Sequence, residues 1–311
     1  MTAEIRVWAP RAGHVELVSG GRRTAMSAEP GGWFGVPAGA AGGGGRYQFS
    51  VDGRVPRPDP RSPYQPEGVH GPSQVVDHGA FRWHDAAWRG IPLADAVIYE
   101  LHVGTFTPEG TFDAATRQLP YLQDLGINTI ELMPVAAFPG QRGWGYDGVD
   151  LFAPHTAYGG PDGLKRLVDA CHRAGIAVVM DVVYNHLGPD GNFLAEFGPY
   201  FTGVYRTPWG TALNFDGHGS DEVRRFFIDN ALMWLRDYHC DGLRLDAVHA
   251  IIDTSAVHFL EQVAAAVGAL QDELGRELWT IAESDLNDPR VVGSRARGGY
   301  GLDAQWSDDF H

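Results

Sequence analysis

The sequence predicts an α/β protein: a small all-β, immunoglobulin-like sandwich followed by a (β/α)8 barrel of the TIM type. Three observations predict it. At 311 residues the chain is too long for one small domain and suits one large barrel with an added module. From Ile5 to about Asp77, short β-like runs are broken by glycine and proline. After Trp88, strand-like apolar runs alternate with stretches of helical periodicity, and polar residues gather where the strand-like runs end.

Ile5, Val7, Val15, Leu17, Trp33, Phe34, Val36, Tyr47, Phe49 and Val51 supply the apolar positions of the first module. Four successive glycines at 42–45 and the Asp52-Gly53 pair supply turns. That spacing suits a small antiparallel sandwich over 1–78. Residues 55–72 carry six prolines. Their missing N–H groups and fixed φ predict an extended segment that wraps over its surroundings. No catalytic constellation stands in this module. It buttresses the second module, or binds carbohydrate through Trp8 or Trp33.

Residues 79–94 read as a connector and 95–311 as the barrel. Strands are predicted over 97–101, 128–133, 176–183, 243–245, 278–282 and 301–305, and helices over 112–125, 161–174, 221–239 and 254–274. Thr111 fits as the first helix's N-cap and Gly126 as its stop. The nearly continuous β-branched run 176–183 predicts a strand buried on both faces. Segments 138–160 and 187–219 read as long loops rich in aromatic residues: Trp144, Tyr146, Tyr200, Phe201, Tyr205 and Trp209.

Composition narrows the function. Acidic residues number 39 against 24 basic ones, a formal charge of −15 that repels phosphate backbones, so nucleic acid is not the expected ligand. A neutral substrate feels little of that repulsion. No run reaches the ~18 apolar residues of a membrane span, and no export signal opens the chain. The two cysteines, Cys171 and Cys240, lie far apart and read as reduced thiols. A cytoplasmic location follows as the expectation. No phosphate loop opens a helix and no metal-ligand cluster has convincing spacing, so no metal and no cofactor is expected.

The chemistry is expected where strands end. Asp181 ends one apolar run and is followed by Asn185 and His186. Arg244 and Asp246 flank the end of the next, and Glu283 ends a third. Successive parallel strands presenting polar groups at their C-termini are how a β/α barrel builds an active face. Two carboxylates on neighbouring strands suit glycosidic bond cleavage, one attacking the anomeric carbon and one protonating the leaving oxygen. Arg244, two residues before Asp246, shares its face of the strand. A guanidinium there holds the nucleophile ionised. Glu283 needs the opposite treatment, a raised pKa. His186 and Asp181 can hydrogen-bond sugar hydroxyls.

These residues carry a resemblance. Asp181-Val182-Val183-Tyr184-Asn185-His186 resembles the first signature of the α-amylase family, glycoside hydrolase family 13. Gly242-Leu243-Arg244-Leu245-Asp246-Ala247 resembles its second, and Glu283 stands where its third falls. Val7-Trp8-Ala9-Pro10 resembles the start of the N-terminal sandwich of branching and debranching members. Within the family the likeness is nearest to members that act on malto-oligosyltrehalose. It rests on the stretches 213–217, 246–251 and 281–290, with 306–311 also fitting. The resemblance implies a retaining hydrolase that cuts the α-1,4 bond next to a terminal trehalose, releasing trehalose and a malto-oligosaccharide. It implies Asp246 as nucleophile, Glu283 as acid/base, and Tyr146, Asp181, His186 and Arg244 around the scissile-bond sugar. His249, where many amylases carry a Lys-His pair, and Asp285 are expected to touch substrate. Malto-oligosyltrehalose synthase is the implied pathway partner.

Two other functions fit the same layout: a glycogen branching or debranching enzyme of the family, and a non-catalytic fragment that only binds α-glucan. The family's fourth signature, Asn-His-Asp, does not occur in the sequence. About six of eight barrel strands are expected, and the 311-residue chain by itself is expected to be an unstable, nearly inactive N-terminal fragment.

Overall fold

The computed structural model describes residues 4–307 and 309. Of the stretch 306–311, therefore, Asp308, Phe310 and His311 lie outside the described residues. The described residues begin with seven strands: β1 (Glu4–Trp8), β2 (Val15–Ser19), β3 (Arg22–Ala25), β4 (Ser27–Glu29), β5 (Trp33–Pro37), β6 (Arg46–Val51) and β7 (Ser73–Gln74). They form two antiparallel sheets, ordered β1-β5-β4 and β3-β2-β6-β7. Ile5 and Val7 alternate with exposed Glu4 and Arg6, and Val15 and Leu17 are buried from the other sheet, so period-2 patterning drives both. Trp8 is buried, donating to Gly31 O at 3.0 Å and meeting Tyr200 edge-on. It has no face for a sugar. Trp33 is half-buried beneath the guanidinium groups of Arg6 and Arg61.

The proline-rich segment wraps as its fixed φ values require. Arg57 pairs with Glu196 at 3.0 Å, Arg61 with Asp229 at 2.8 Å, and Gln65 donates to Asp150 at 3.2 Å. Each contact reaches far down the chain.

Six parallel strands form the second assembly: β8 (Ile98–Leu101), β9 (Thr129–Leu132), β12 (Ala177–Val182), β15 (Gly242–Leu245), β16 (Trp279–Glu283) and β17 (Ala304–Trp306). They are ordered β8-β9-β12-β15-β16-β17. Between them in sequence lie two antiparallel pairs, β10 (Ala136–Ala137) with β11 (Asp150–Pro154), and β13 (Phe201–Thr207) with β14 (Gly210–Leu213). The segments expected to be plain loops thus carry strands of their own. Among the described residues seven α-helices accompany the sheet: α1 (Val103–Phe106), α2 (Phe112–Thr116), α3 (Leu119–Asp124), α4 (Gly160–Arg173), α5 (Leu194–Phe197), α6 (Ser220–Arg236) and α7 (Phe259–Leu274).

Two helices differ from expectation. The helix over 112–125 is split between α2 and α3. Pro120 has no N–H, and its ring would strike the carbonyl of Thr116, so the helix breaks there. Thr111 does cap α2, accepting from Ala114 N at 3.2 Å. The helix over 254–274 begins only at Phe259, with His258 as its cap. The preceding turn is committed elsewhere: Asp216 takes the N–H and hydroxyl of Thr254, and Asp253 takes the N–H groups of Ser255 and Phe259.

Every residue of β12 is buried, as its β-branched run requires. Val178 and Met180 join the main core with α4 and α6. Ala177 and Val179 face the other way, against Trp279, the connector residues Trp88, Ile91 and Leu93, and Ala96 just beyond them. The connector therefore closes the inner face of the sheet at its N-terminal end. Tyr184, Phe215, Phe227 and Phe259 pack together in the main core, Phe215 stacked on Phe259 and the others edge-on. Each ring removed from water contributes about 2–3 kcal/mol. Tyr200, expected among the loop aromatics, belongs to this interior too, 2% exposed and packed edge-on to Phe226.

Candidate active site

The strand register builds the site in layers. On the inner face, Glu100, Glu131, Val179 and Gly242 lie level, and Asp181, Arg244 and Ile281 form the next level towards the strand C-termini. Asp246 and Glu283 follow at the open end.

Arg244 organises this end. Its Nη1 donates to Asp181 at 2.9 Å and to Asp246 Oδ1 at 2.9 Å, while Nη2 lies 3.5 Å from Glu283 Oε2. One guanidinium therefore serves three carboxyl groups. Burial works against its charge, but the surrounding carboxylates outweigh burial and raise its pKa further. Asn185 supplies the other arm, donating to Asp246 Oδ2 at 2.7 Å and to the Asp246 carbonyl at 2.8 Å. Asp246 is thereby held on both oxygens, with 13% of its side chain exposed. Glu283 Oε2 accepts from the Ala247 N–H at 2.5 Å.

Asp181 is 2% exposed and also accepts from Tyr146 Oη at 2.9 Å. Burial pushes its carboxyl up to about 7, despite the Arg244 guanidinium beside it. Tyr146 reaches it because Gly145 adopts φ 97°, and a Cβ there would stand 2.0 Å from Pro134 O. His102, at the end of β8, holds the same loop through Gly143 O at 2.8 Å. His186 hydrogen-bonds Asn185 Oδ1 and stacks under Trp209, ring centres 5.1 Å apart. Desolvation lowers its pKa, so its neutral form is favoured. Trp209 is 48% exposed at the tip of the β13–β14 hairpin, and Trp144 is 67% exposed. Both offer faces on which a sugar's C–H groups can stack.

The structure thus brings Tyr146, Asp181, His186, Arg244, Asp246 and Glu283 together. His249 is exposed three residues beyond Asp246, and Asp285 is exposed two residues beyond Glu283. Two contributors are not evident from the sequence. Asn185 lies inside the Asp181–His186 motif, where nothing assigns it a role. Glu131 shows only as a charged residue in a strand-like run. Among the described residues, Glu100, Glu131 and Asp181 could bring carboxylate oxygens near a cation. Arg244 already supplies positive charge at that place.

Two carboxyl groups at neighbouring strand ends, one held between a guanidinium and an amide, can perform double displacement at an acetal carbon. A cleft of about 650 Å³ lies elsewhere, between β1, β5 and α6. Its wall charges are largely paired with one another, as Arg61 is with Asp229 and Arg225 with Glu222.

The alpha amylase catalytic-domain profile matches residues 78–200. Proteins named malto-oligosyltrehalose trehalohydrolase are similar over nearly the whole chain. The one from Arthrobacter ramosus is 55% identical over 100% of this chain and 55% of its own length. The one from Rhizobium sp. (strain M-11) is 54% identical over 98% and 52%. A 1,4-alpha-glucan branching enzyme from Bacillus caldolyticus is 34% identical over 97% and 50%. A solved structure from Salmonella typhimurium, named for alpha amylase, superposes with TM-score 0.91 and 43% identity over 99% of this chain and 52% of that one. The chain spans about half the length of the curated relatives it matches.

Proposed function

Because the chain belongs to the α-amylase family, we propose that it carries the catalytic residues of a retaining glycoside hydrolase. That hydrolase cuts the α-1,4 bond next to the terminal trehalose of malto-oligosyltrehalose. The observation that carries this reading is the single Arg244 guanidinium serving Asp246, Asp181 and Glu283. It holds the Asp246 carboxyl group in place for attack on the anomeric carbon. Glu283 gives its proton to the departing oxygen and then takes one from water as the glycosyl-enzyme is hydrolysed. Tyr146, Asp181 and His186 bind the sugar whose bond is cut, Trp209 stacks beside it, and His249 and Asp285 contact the leaving side.

In this proposal residues 1–78 form an immunoglobulin-like sandwich, 79–94 a connector and 95–311 part of a TIM barrel. The substrate comes from an enzyme that isomerises the reducing end of a malto-oligosaccharide, a malto-oligosyltrehalose synthase. Among the described residues no helix is long and apolar enough to cross a membrane.

The higher identity to the trehalose-releasing relatives supports this activity over branching. The test is to incubate the full product of the gene with malto-oligosyltrehalose and separately with amylopectin. Trehalose from the first is the expected result. A rebranched or debranched glucan without trehalose would overturn it.

A further inference from the structure

Glu131 lies one level beneath the Asp181–Arg244 pair and takes no part in the chemistry proposed above. It is 0% exposed, and neither carboxyl oxygen has a hydrogen-bond partner. The Nε of Arg244, which is also unpartnered, stands 4.0 Å from Glu131 Oε1. The two unmatched groups thus face each other across the floor of the site.

The charged groups facing Glu131 are Glu100 from β8, Asp181 from β12 and Arg244 from β15. The three carboxyl groups bring oxygens within 4.8 Å of one another. Among the described residues Arg244 is the single cation there, and it already serves Asp181, Asp246 and Glu283. An ionised Glu131 carboxylate against it would be desolvated, unpaired and repelled by Asp181.

We propose that Glu131 is a positioning residue that stays protonated while the enzyme works. Its neutral carboxyl carries the Nε edge of Arg244 from below and leaves the guanidinium charge to Asp181 and Asp246. The positioning role rests on the function proposed for Asp246; the protonation does not. Burial, with repulsion from Asp181, pushes the Glu131 carboxyl up to about 9.

Infrared difference spectroscopy tests the protonation without substrate. The spectrum of wild type minus Glu131→Gln at neutral pH should hold a carboxylic-acid C=O band that bleaches near pH 9. Carboxylate bands in its place would overturn the proposal.

Kinetics of the full gene product test the positioning. Glu131→Leu should lower kcat at least about tenfold with little change in KM, because displaced reacting groups slow the chemical step. Glu131→Gln, which imitates the protonated acid, should restore kcat to within about threefold of wild type. A Gln variant as slow as the Leu variant, or a Leu variant as fast as wild type, would overturn it. Should the Leu variant fail to fold, the Gln variant's rate and spectrum still decide. An acid band together with no hydrolysis in wild type would leave Glu131 protonated and remove the function proposed for the site.

Discussion

The Ala247 N–H donates to Glu283 Oε2 at 2.5 Å, linking the residue after Asp246 to the carboxyl group on the next strand. Ala247 makes this contact from the left-handed region, at φ 41° and ψ 52°, where side chains larger than glycine are strained. The backbone twist at the end of β15 therefore sets how the two carboxyl groups face each other.

A β-branched residue at 247 should disturb that arrangement without emptying the core. We predict that Ala247→Val slows trehalose release at least about tenfold, ~1.4 kcal/mol of barrier. Ala247→Gly, which tolerates this conformation, should stay near wild type. Steady-state kinetics beside circular dichroism separates a displaced Glu283 from a general loss of fold.

A second prediction concerns the N-terminal end of the sheet. His172 lies between two buried carboxylates, Nδ1 2.8 Å from Asp85 and Nε2 2.9 Å from Asp241. Trp88 donates to Asp241 at 2.7 Å and stacks on His172. Burial opposes the imidazolium, but the hydrogen bonds to Asp241 and Asp85 outweigh it and raise the His172 pKa. Burial likewise opposes the Asp85 charge, and His172 and His239 together hold its pKa well below the usual value. The His172 contribution is present below its unfolded value near 6.5 and is lost as pH rises through the raised one. The Asp85 contribution is present above about 4 and is lost as pH falls below that. Stability should therefore be greatest between about pH 4 and 6.5 as far as this cluster is concerned. His172→Phe should cost about 3–5 kcal/mol, because it removes the imidazolium that lies between two buried carboxylates. Urea denaturation across pH reads both effects.

Much of this architecture was legible in the sequence. The alternation in β1 and β2, the unbroken apolar run of β12 and the carboxylates at strand ends report local pattern, and the fold keeps local pattern. Arg244 could be placed on the face of Asp246 because two residues along a strand always share a face. Non-local contacts were harder to see. Asn185 meets Asp246 across 61 positions, and nothing in its own motif says so. Glu131 looks like any strand carboxylate until the register sets it beneath Arg244. The hairpin that carries Trp209 over His186 has β13 turned mostly towards solvent, so it lacks the apolar alternation that marks a strand. Tyr200 and Trp8 were aromatic in composition but interior in place, a distinction only packing makes.

Arg224 yields a third prediction. It is 5% exposed and ties Phe215 O, Val257 O, Ser255 and Asp253 into one junction ahead of α7. Asp253 is fully buried. Arg224→Ala should destabilise by about 3–5 kcal/mol by leaving that carboxylate uncompensated. Arg224→Ala with Asp253→Asn should recover part of the loss. A double-mutant cycle by chemical denaturation measures the coupling.

The central claim is that Asp246, held by Arg244 and Asn185, forms the covalent bond to the sugar. The most direct measurement follows trehalose release from malto-oligosyltrehalose by the full product of the gene, beside its Asp246→Asn variant. Release by the first is expected, with a loss of about 10⁴-fold in the second, whose amide is too weak a nucleophile for the covalent step. Trehalose released by Asp246→Asn at a rate near wild type would contradict it.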